Sequence, residues 1–172
     1  ANIESPTNSK EGNDKVGLYF AEVAKQYGWK IEIFENEFSG NVVSITMNDD
    51  VQETPISLSG HIDTVHAIGS FGSPAVKVLD GKIYGPGVMD CKGGAVAALQ
   101  AMAALHNVGF KKRPVKLLLQ TDEETNSMQS NKATINRIIE EAKGSIAFLN
   151  LESCIRGYAV LWRKGIARYK VD

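Results

Sequence analysis

Six residues combine the side-chain types and spacing needed to hold a divalent cation and put it to use: His61, Asp63, Asp90, Glu123, Glu124 and Glu152. Five of them are carboxylic acids. Gathered at one place, these groups repel one another and raise each other's pKa values, and a bound divalent metal is the simplest compensation. One imidazole among several carboxylates suits zinc, with cobalt or manganese as substitutes, and the lack of a paired-thiolate motif argues against a structural zinc site. A metal lowers the pKa of its bound water to about 7, and a carboxylate not spent on the metal can take the proton and pass it to a leaving group. The chemistry implied is metal-assisted hydrolysis.

Each local pattern also has a plainer explanation. His61 and Asp63 stand two apart on extended backbone and emerge on the same side, so the carboxylate can hold the imidazole N–H opposite the metal. Alternatively His61 is a satisfied buried histidine and Asp63 a turn residue. Glu123 and Glu124 are adjacent and point differently, which lets one ligate metal and the other face substrate; an isolated "DEE" is otherwise a solvated acidic loop. "GPGVMDCKGG" delivers Asp90 to a helix start. Glycines there can cradle phosphate, but the spacing fits neither GxGxxG nor GxxxxGK[ST], and an Asp at that point repels phosphate while suiting a cation. Gly93 and Gly94 are expected to permit close backbone packing, Cys91 to pack, and Lys92 to balance local negative charge. His66 and His106 lack a carboxylate partner at a strand end and read as surface or structural histidines.

These residues need elements to carry them. Val16, Phe20, Val23, Ala24 and Tyr27 recur at helical spacing over Asn13 to Tyr27, and Gly28 stops that helix. Strands follow at "KIEIF" from Lys30, "NVVSIT" from Asn41 and "PISLSG" from Pro55, and "AVKVLDGKIYG" is a hairpin about Asp80-Gly81. A helix from Cys91 to Val108 sets Ala95, Val96, Leu99, Met102 and Ala103 on one face. "VKLLLQT" from Val115 and "SIAFLNL" from Ser145 read as strands covered on both faces, with a crossover helix between them that carries Ile135, Ile138, Ile139 and Ala142 and closes at Gly144. The pattern is α/β, with a mostly parallel twisted sheet flanked by helices. Its strand ends deliver His61 and Asp63, Glu123 and Glu124, and Glu152 to one edge, where open α/β sheets place their sites. The tail from Tyr158 reads as two more strands split at Lys164-Gly165.

The chain has 172 residues with 19 basic and 20 acidic side chains, 43% hydrophobic and 23% charged, a globular composition with a net charge of -1. No field recruits nucleic acid or an anionic membrane. Cys91 and Cys154 are expected as free thiols. No apolar run reaches the ~18 residues of a membrane span, and the first residues lack a signal-peptide core, so the expected location is cytoplasmic, with export compatible if a leader precedes the chain.

In order and spacing, "SGHIDTV", "YGPGVMDCKGG" and "LLQTDEET" resemble the M20 family of metallopeptidases. The nearest likeness is to its glutamate carboxypeptidases of the carboxypeptidase G2 type. The likeness runs from about Ser5 to the final strands. It implies a zinc-peptidase-like catalytic domain, incomplete here, cleaving an amide or peptide bond next to a free carboxylate in a small peptide or N-acyl amino acid. The alternatives are a deacylase of the acetylornithine deacetylase or succinyl-diaminopimelate desuccinylase type, or a metal-binding module without turnover. The resemblance implies two zinc ions bridged by Asp90, with His61 and Glu152 on one and Glu124 on the other, Glu123 as general acid/base, Asp63 orienting His61, and a cis peptide after Asp90. It also implies that residues 1–172 are the N-terminal portion of the catalytic domain, inactive alone. A lid and dimerisation domain that makes a homodimer would follow, and then a returning segment with the last zinc-binding histidine. The chain departs from relatives in "LES", where they often have "EP", and in "NSMQS", where Gly-Ser is commoner.

Overall fold

Helix α1 (Lys10–Gln26) begins three residues before the apolar periodicity does, because Ser9 caps it: the Gly12 amide donates to Ser9 Oγ at 3.1 Å. These details come from a computed structural model, which describes residues 1–154 and 157–161. Of the strand pair expected from Tyr158 and split at Lys164-Gly165, residues 162–172 lie outside the described residues.

Strands β1 (Lys30–Phe34), β2 (Val42–Met47) and β3 (Ile56–His61) precede a hairpin of β4 (Lys77–Leu79) and β5 (Lys82–Tyr84). That hairpin turns at Asp80 and Gly81, whose φ angles of 50° and 71° are the left-handed pair such a turn requires. A kinked turn at Val88–Lys92 leads into α2 (Gly93–Asn107), followed by β6 (Val115–Gln120), α3 (Ala133–Ala142) and β7 (Ala147–Asn150).

The main sheet has the order β1-β2-β6-β3-β7. β2 runs antiparallel to β1 and β6, while β3 is parallel to β6 and β7, so every strand except β2 points the same way. This is the expected α/β sheet, mostly parallel. Its register positions the site, because His61 lies opposite Gln120 and Ser59 opposite Asn150. The residues leaving β3, β6 and β7 therefore emerge together at one edge.

Alternation along β6 divides the core. Leu117 and Leu119 join Phe20, Ile45, Met47, Ile62 and Met102 on the α1 and α2 side, whereas Leu118 packs with Val42 and Ile138 on the α3 side. Two positions expected on buried helix faces are exposed, Val96 at 46% and Ile139 at 57%, since Ala98 and Ile138 take the inward direction. The expectation that "SIAFLNL" is covered on both faces also fails among the described residues. β7 is the sheet's last strand, with Phe148 and Leu149 about half exposed.

Helix α2 starts at Gly93 rather than Cys91, because Asp90 (φ -122°, ψ 100°) and Cys91 (φ -124°, ψ 26°) are not helical and the peptide between them is cis. Gly93 and Gly94 do pack closely. A Cβ on Gly94 would overlap the carbonyl oxygen of Leu151, just past β7, and neither backbone can retreat freely. Gly94→Ala is therefore expected to destabilise the chain by about 1–3 kcal/mol, the usual cost of overpacking, read as a lower urea midpoint with an unchanged slope.

Candidate metal centre

β3 ends by burying His61 to 1% exposure, with its two ring nitrogens facing different surroundings. Nδ1 lies 3.0 Å from the main-chain oxygen of Asp63 and 3.3 Å from its Oδ1. Nε2 faces the strand-end edge, 2.8 Å from Asp90 Oδ1, 3.3 Å from Glu152 Oε1 and 3.9 Å from Glu123 Oε2. Three carboxylates from separate segments thus converge on one imidazole nitrogen.

Asp63 is fully buried and its carboxylate is saturated. Oδ2 accepts from Thr7 Oγ1 at 2.7 Å and from the Glu124 amide at 3.2 Å, and Oδ1 accepts from the Glu123 amide at 3.1 Å. One side chain therefore stands behind the histidine and fixes the backbone of the acidic pair. Asp122, the first acid of the same run, turns inward instead. Its Oδ2 accepts from the Ser130 amide at 2.9 Å and its Oδ1 from Thr134 Oγ1, which ties the loop to the start of α3. The segment is thus neither wholly a solvated acidic loop nor wholly a site.

The electrostatics are those of crowded acids around one base. Burial disfavours the His61 cation, but the contacts to Asp63, Cys91 and Glu152 outweigh it and hold the imidazolium well above its ordinary pKa. Glu123 and Glu124 are both raised, first by burial and then by neighbouring carboxylates, Glu152 for the one and Asp90 for the other, with His61 opposing. Lys92 is 4% exposed, and burial pushes its ammonium down to about 8 against the pull of Asp63 and Glu4; Nζ donates to Ile3 O at 3.2 Å.

The donors suit a cation. One ligand atom each from His61, Asp90 and Glu124 lie within 4.8 Å of one another, and so do one each from His61, Cys91 and Glu152. With metal–ligand bonds of about 2.0–2.3 Å, each trio can share an ion. Of the six residues singled out in the sequence, His61, Asp90, Glu124 and Glu152 belong to these trios, while Asp63 stands against Nδ1 and Glu123 3.9 Å from Nε2 of the same imidazole; two further residues join them. Cys91 Sγ accepts from the His61 amide at 3.0 Å and donates to the His61 carbonyl at 3.3 Å. Thr7 reaches Asp63 from before α1; "SPTNSKEG" carries no local signal of that contact. His66 packs edge-on against Phe71, and His106 Nδ1 accepts from Trp29 Nε1 at 3.2 Å, so both are structural.

Succinyl-diaminopimelate desuccinylase of Rickettsia akari (strain Hartford) is 30% identical over 176 residues, which cover 93% of this chain and 45% of that protein. Carboxypeptidase G2 of Pseudomonas sp. (strain RS-16) is 29% identical over 177 residues, covering 99% and 41%. The chain thus spans less than half the length of these curated relatives. Human carnosine dipeptidase 1 superposes with a TM-score of 0.69 over 87% of this chain and 36% of its own, at 17% identity. The M20 family metallo-carboxypeptidase Sso-CP2 from Sulfolobus solfataricus gives 0.66 over 81% and 32%, at 23% identity. At these identities the likeness establishes the fold. Residues 57–161, well over half of the chain, match the family model for peptidase family M20/M25/M40. Because the match runs from the second residue of β3 through every residue of the cluster from His61 on, the chain belongs to that metal-dependent hydrolase family.

Proposed function

We propose that the protein carrying this chain is a zinc hydrolase that cleaves an amide or peptide bond next to a free carboxylate, in the manner of a glutamate carboxypeptidase. The observation that carries this is the convergence of Asp90, Glu123 and Glu152 on Nε2 of a buried His61 whose other nitrogen is held by Asp63. His61, Asp90, Glu124 and Glu152 would hold the metal, zinc by donor type and cobalt or manganese as substitutes. When bound, the metal supplies an acidified water and polarises the scissile carbonyl.

Glu123 belongs to neither trio of donors that can share an ion, although its carboxylate stands 3.9 Å from Nε2. It is therefore free to carry a proton from water to the leaving amine, and its raised pKa suits a group that must both accept and give one. Asp63 keeps Nε2 directed at the edge, and its hold on the Glu123 amide sets where that carboxylate begins. Deacylation of N-acyl amino acids is the second form of the reading, favoured by the desuccinylase relative. The proposal extends to a lid and homodimerisation domain and a further histidine ligand beyond residue 172, and to a cytoplasmic location.

In the full-length protein, Glu123→Gln is expected to lower kcat about 10²–10⁴-fold while zinc content, read by plasma emission, stays unchanged. Unaltered turnover would sink the assignment of the base, and bound zinc without hydrolysis of any N-acyl amino acid or dipeptide would favour a non-catalytic metal-binding module.

Asp63→Asn and Thr7→Val are each expected to weaken cobalt binding about 10–100-fold, measured by titrating its visible absorption bands. Thr7→Ser, which keeps the hydroxyl, should bind like the wild type; equal loss in both Thr7 variants would refute a role for that hydrogen bond.

A further inference from the structure

On the flank of β3 that faces β7, the main-chain ladder stops short of the histidine. The Leu151 amide donates to Ser59 O at 2.8 Å, and β7 has ended at Asn150. His61, two residues further on, directs its amide and carbonyl to that same flank, while the Ile62 amide turns the other way to Gln120 O at 2.9 Å. Cys91 takes the next place in the ladder. Its Sγ accepts from the His61 amide at 3.0 Å and donates to the His61 carbonyl at 3.3 Å, a pair of roles open to a thiol because it is at once a weak donor and a weak acceptor.

The fit around the sulfur is close. Cys91 is fully buried, and a Cβ on Gly60 would stand 3.2 Å from Sγ and 3.4 Å from the Leu151 Cβ, so the glycine before the histidine leaves the room that the thiol fills. Cys91 also follows Asp90, whose Oδ1 lies 2.8 Å from Nε2. Sγ is within 4.8 Å of a ring nitrogen of His61 and of a carboxylate oxygen of Glu152. The end of β3, the turn before α2 and the segment after β7, each bearing a donor, meet at this one side chain.

We propose that Cys91 is a positioning residue of the metal centre: its two bonds to the main chain of His61 hold the imidazole at the distance from Asp90 and Glu152 at which one cation can be shared. The proposal rests on the metal site of the hydrolase reading above. Asp63 sets the rotation of the ring through Nδ1 but not the place of the backbone from which the ring hangs. Gln120 holds that backbone on one flank and Cys91 on the other. Without the thiol, the amide and carbonyl of His61 lose partners in a place closed to water. The strand end then shifts to find others and carries Nε2 with it, against metal–nitrogen bonds confined to about 2.0–2.1 Å.

The test compares two matched pairs in the full-length protein, Cys91→Ser with Cys91→Ala and Cys91→Thr with Cys91→Val, by titrating the visible absorption of cobalt. Within each pair the hydroxyl can make both bonds to His61 and its apolar counterpart can make neither. The hydroxyl-bearing member should bind cobalt about 10-fold or more tightly than its counterpart. The apolar members should also shift the bands of the cobalt that still binds, which lowered stability alone would not do. If the bulkier Thr and Val variants do not fold, the Ser and Ala pair decides. Equal affinity within a pair, tighter binding by the apolar member, unshifted bands, or failure of Cys91→Ala to fold would each overturn the proposal, since the thiol would then only pack or only support the fold. No cobalt binding by the unmutated protein would remove the metal site and this role together. The ordered loss of affinity in a protein that hydrolyses no N-acyl amino acid or dipeptide would leave the role standing and remove the hydrolase reading.

Discussion

The carboxylate of Asp63 is the contact on which both the site and its surroundings depend. A fully buried charge is tolerated only when its oxygens are met by donors, and these are met by Thr7, by the amides of Glu123 and Glu124, and by the edge of the His61 ring. Apart from the histidine, two residues away, the donors lie 56, 60 and 61 residues off along the chain, so the same interaction that orients the histidine also fastens the N-terminal loop and the turn after β6 to the end of β3. Removing any one of them leaves part of a charge unsatisfied in a place water does not reach, which couples the position of the imidazole to the position of the acidic pair.

Around that anchor the remaining acids stand in mutual repulsion. Glu123 and Glu124 are pushed towards their protonated forms, first by burial and then by neighbouring carboxylates, and His61 is held in its charged form against burial by Asp63, Cys91 and Glu152. Metal ligation requires the imidazole neutral and the carboxylates ionised. Cation binding and proton release are therefore two sides of one equilibrium at this edge, and the acids that destabilise the empty cluster are the ones that give it affinity.

Much of this was legible in the sequence, because strand-end placement depends only on local pattern and on the rule that α/β sheets present function at one edge. The apolar runs marked β3 and β6, and the register that sets His61 opposite Gln120 brings their ends to one edge. What was not legible depends on neighbours. The run at Ala147–Asn150 shows an apolar strand, but its place as the last strand among the described residues, with Phe148 and Leu149 half exposed there, is set by strand order, which apolarity does not encode. The start of α1 followed a side-chain cap rather than periodicity. Thr7 and Cys91 touch Asp63 and His61 through contacts spanning 56 and 30 residues, which no spacing rule encodes. That the adjacent Glu123 and Glu124 can divide two roles was legible, but which residue takes which came only from family resemblance; in the structure, one of the two donor trios includes Glu124 and neither includes Glu123.

The tightness of the surroundings explains how so many like charges can be held in place. A Cβ on Gly40 would overlap Asn13 and press on Thr121, so the turn before β2, the start of α1 and the end of β6 meet without room for a methyl group. Thr121 Oγ1 donates to Gly40 O, and Asn13 Nδ2 donates to Pro6 O and Ser9 O, each at hydrogen-bond distance. Asp122 then takes up the next residues through Ser130 and Thr134. Repulsion between carboxylates can be relieved by moving the backbone that bears them, and here that backbone is pinned by the Thr121 hydroxyl on one side, by the carboxylate of Asp122 on the other and by that of Asp63 behind it. The strain of the acidic cluster must accordingly be resolved by protons or by a cation, and not by rearrangement, which is the condition a preorganised hydrolytic site requires.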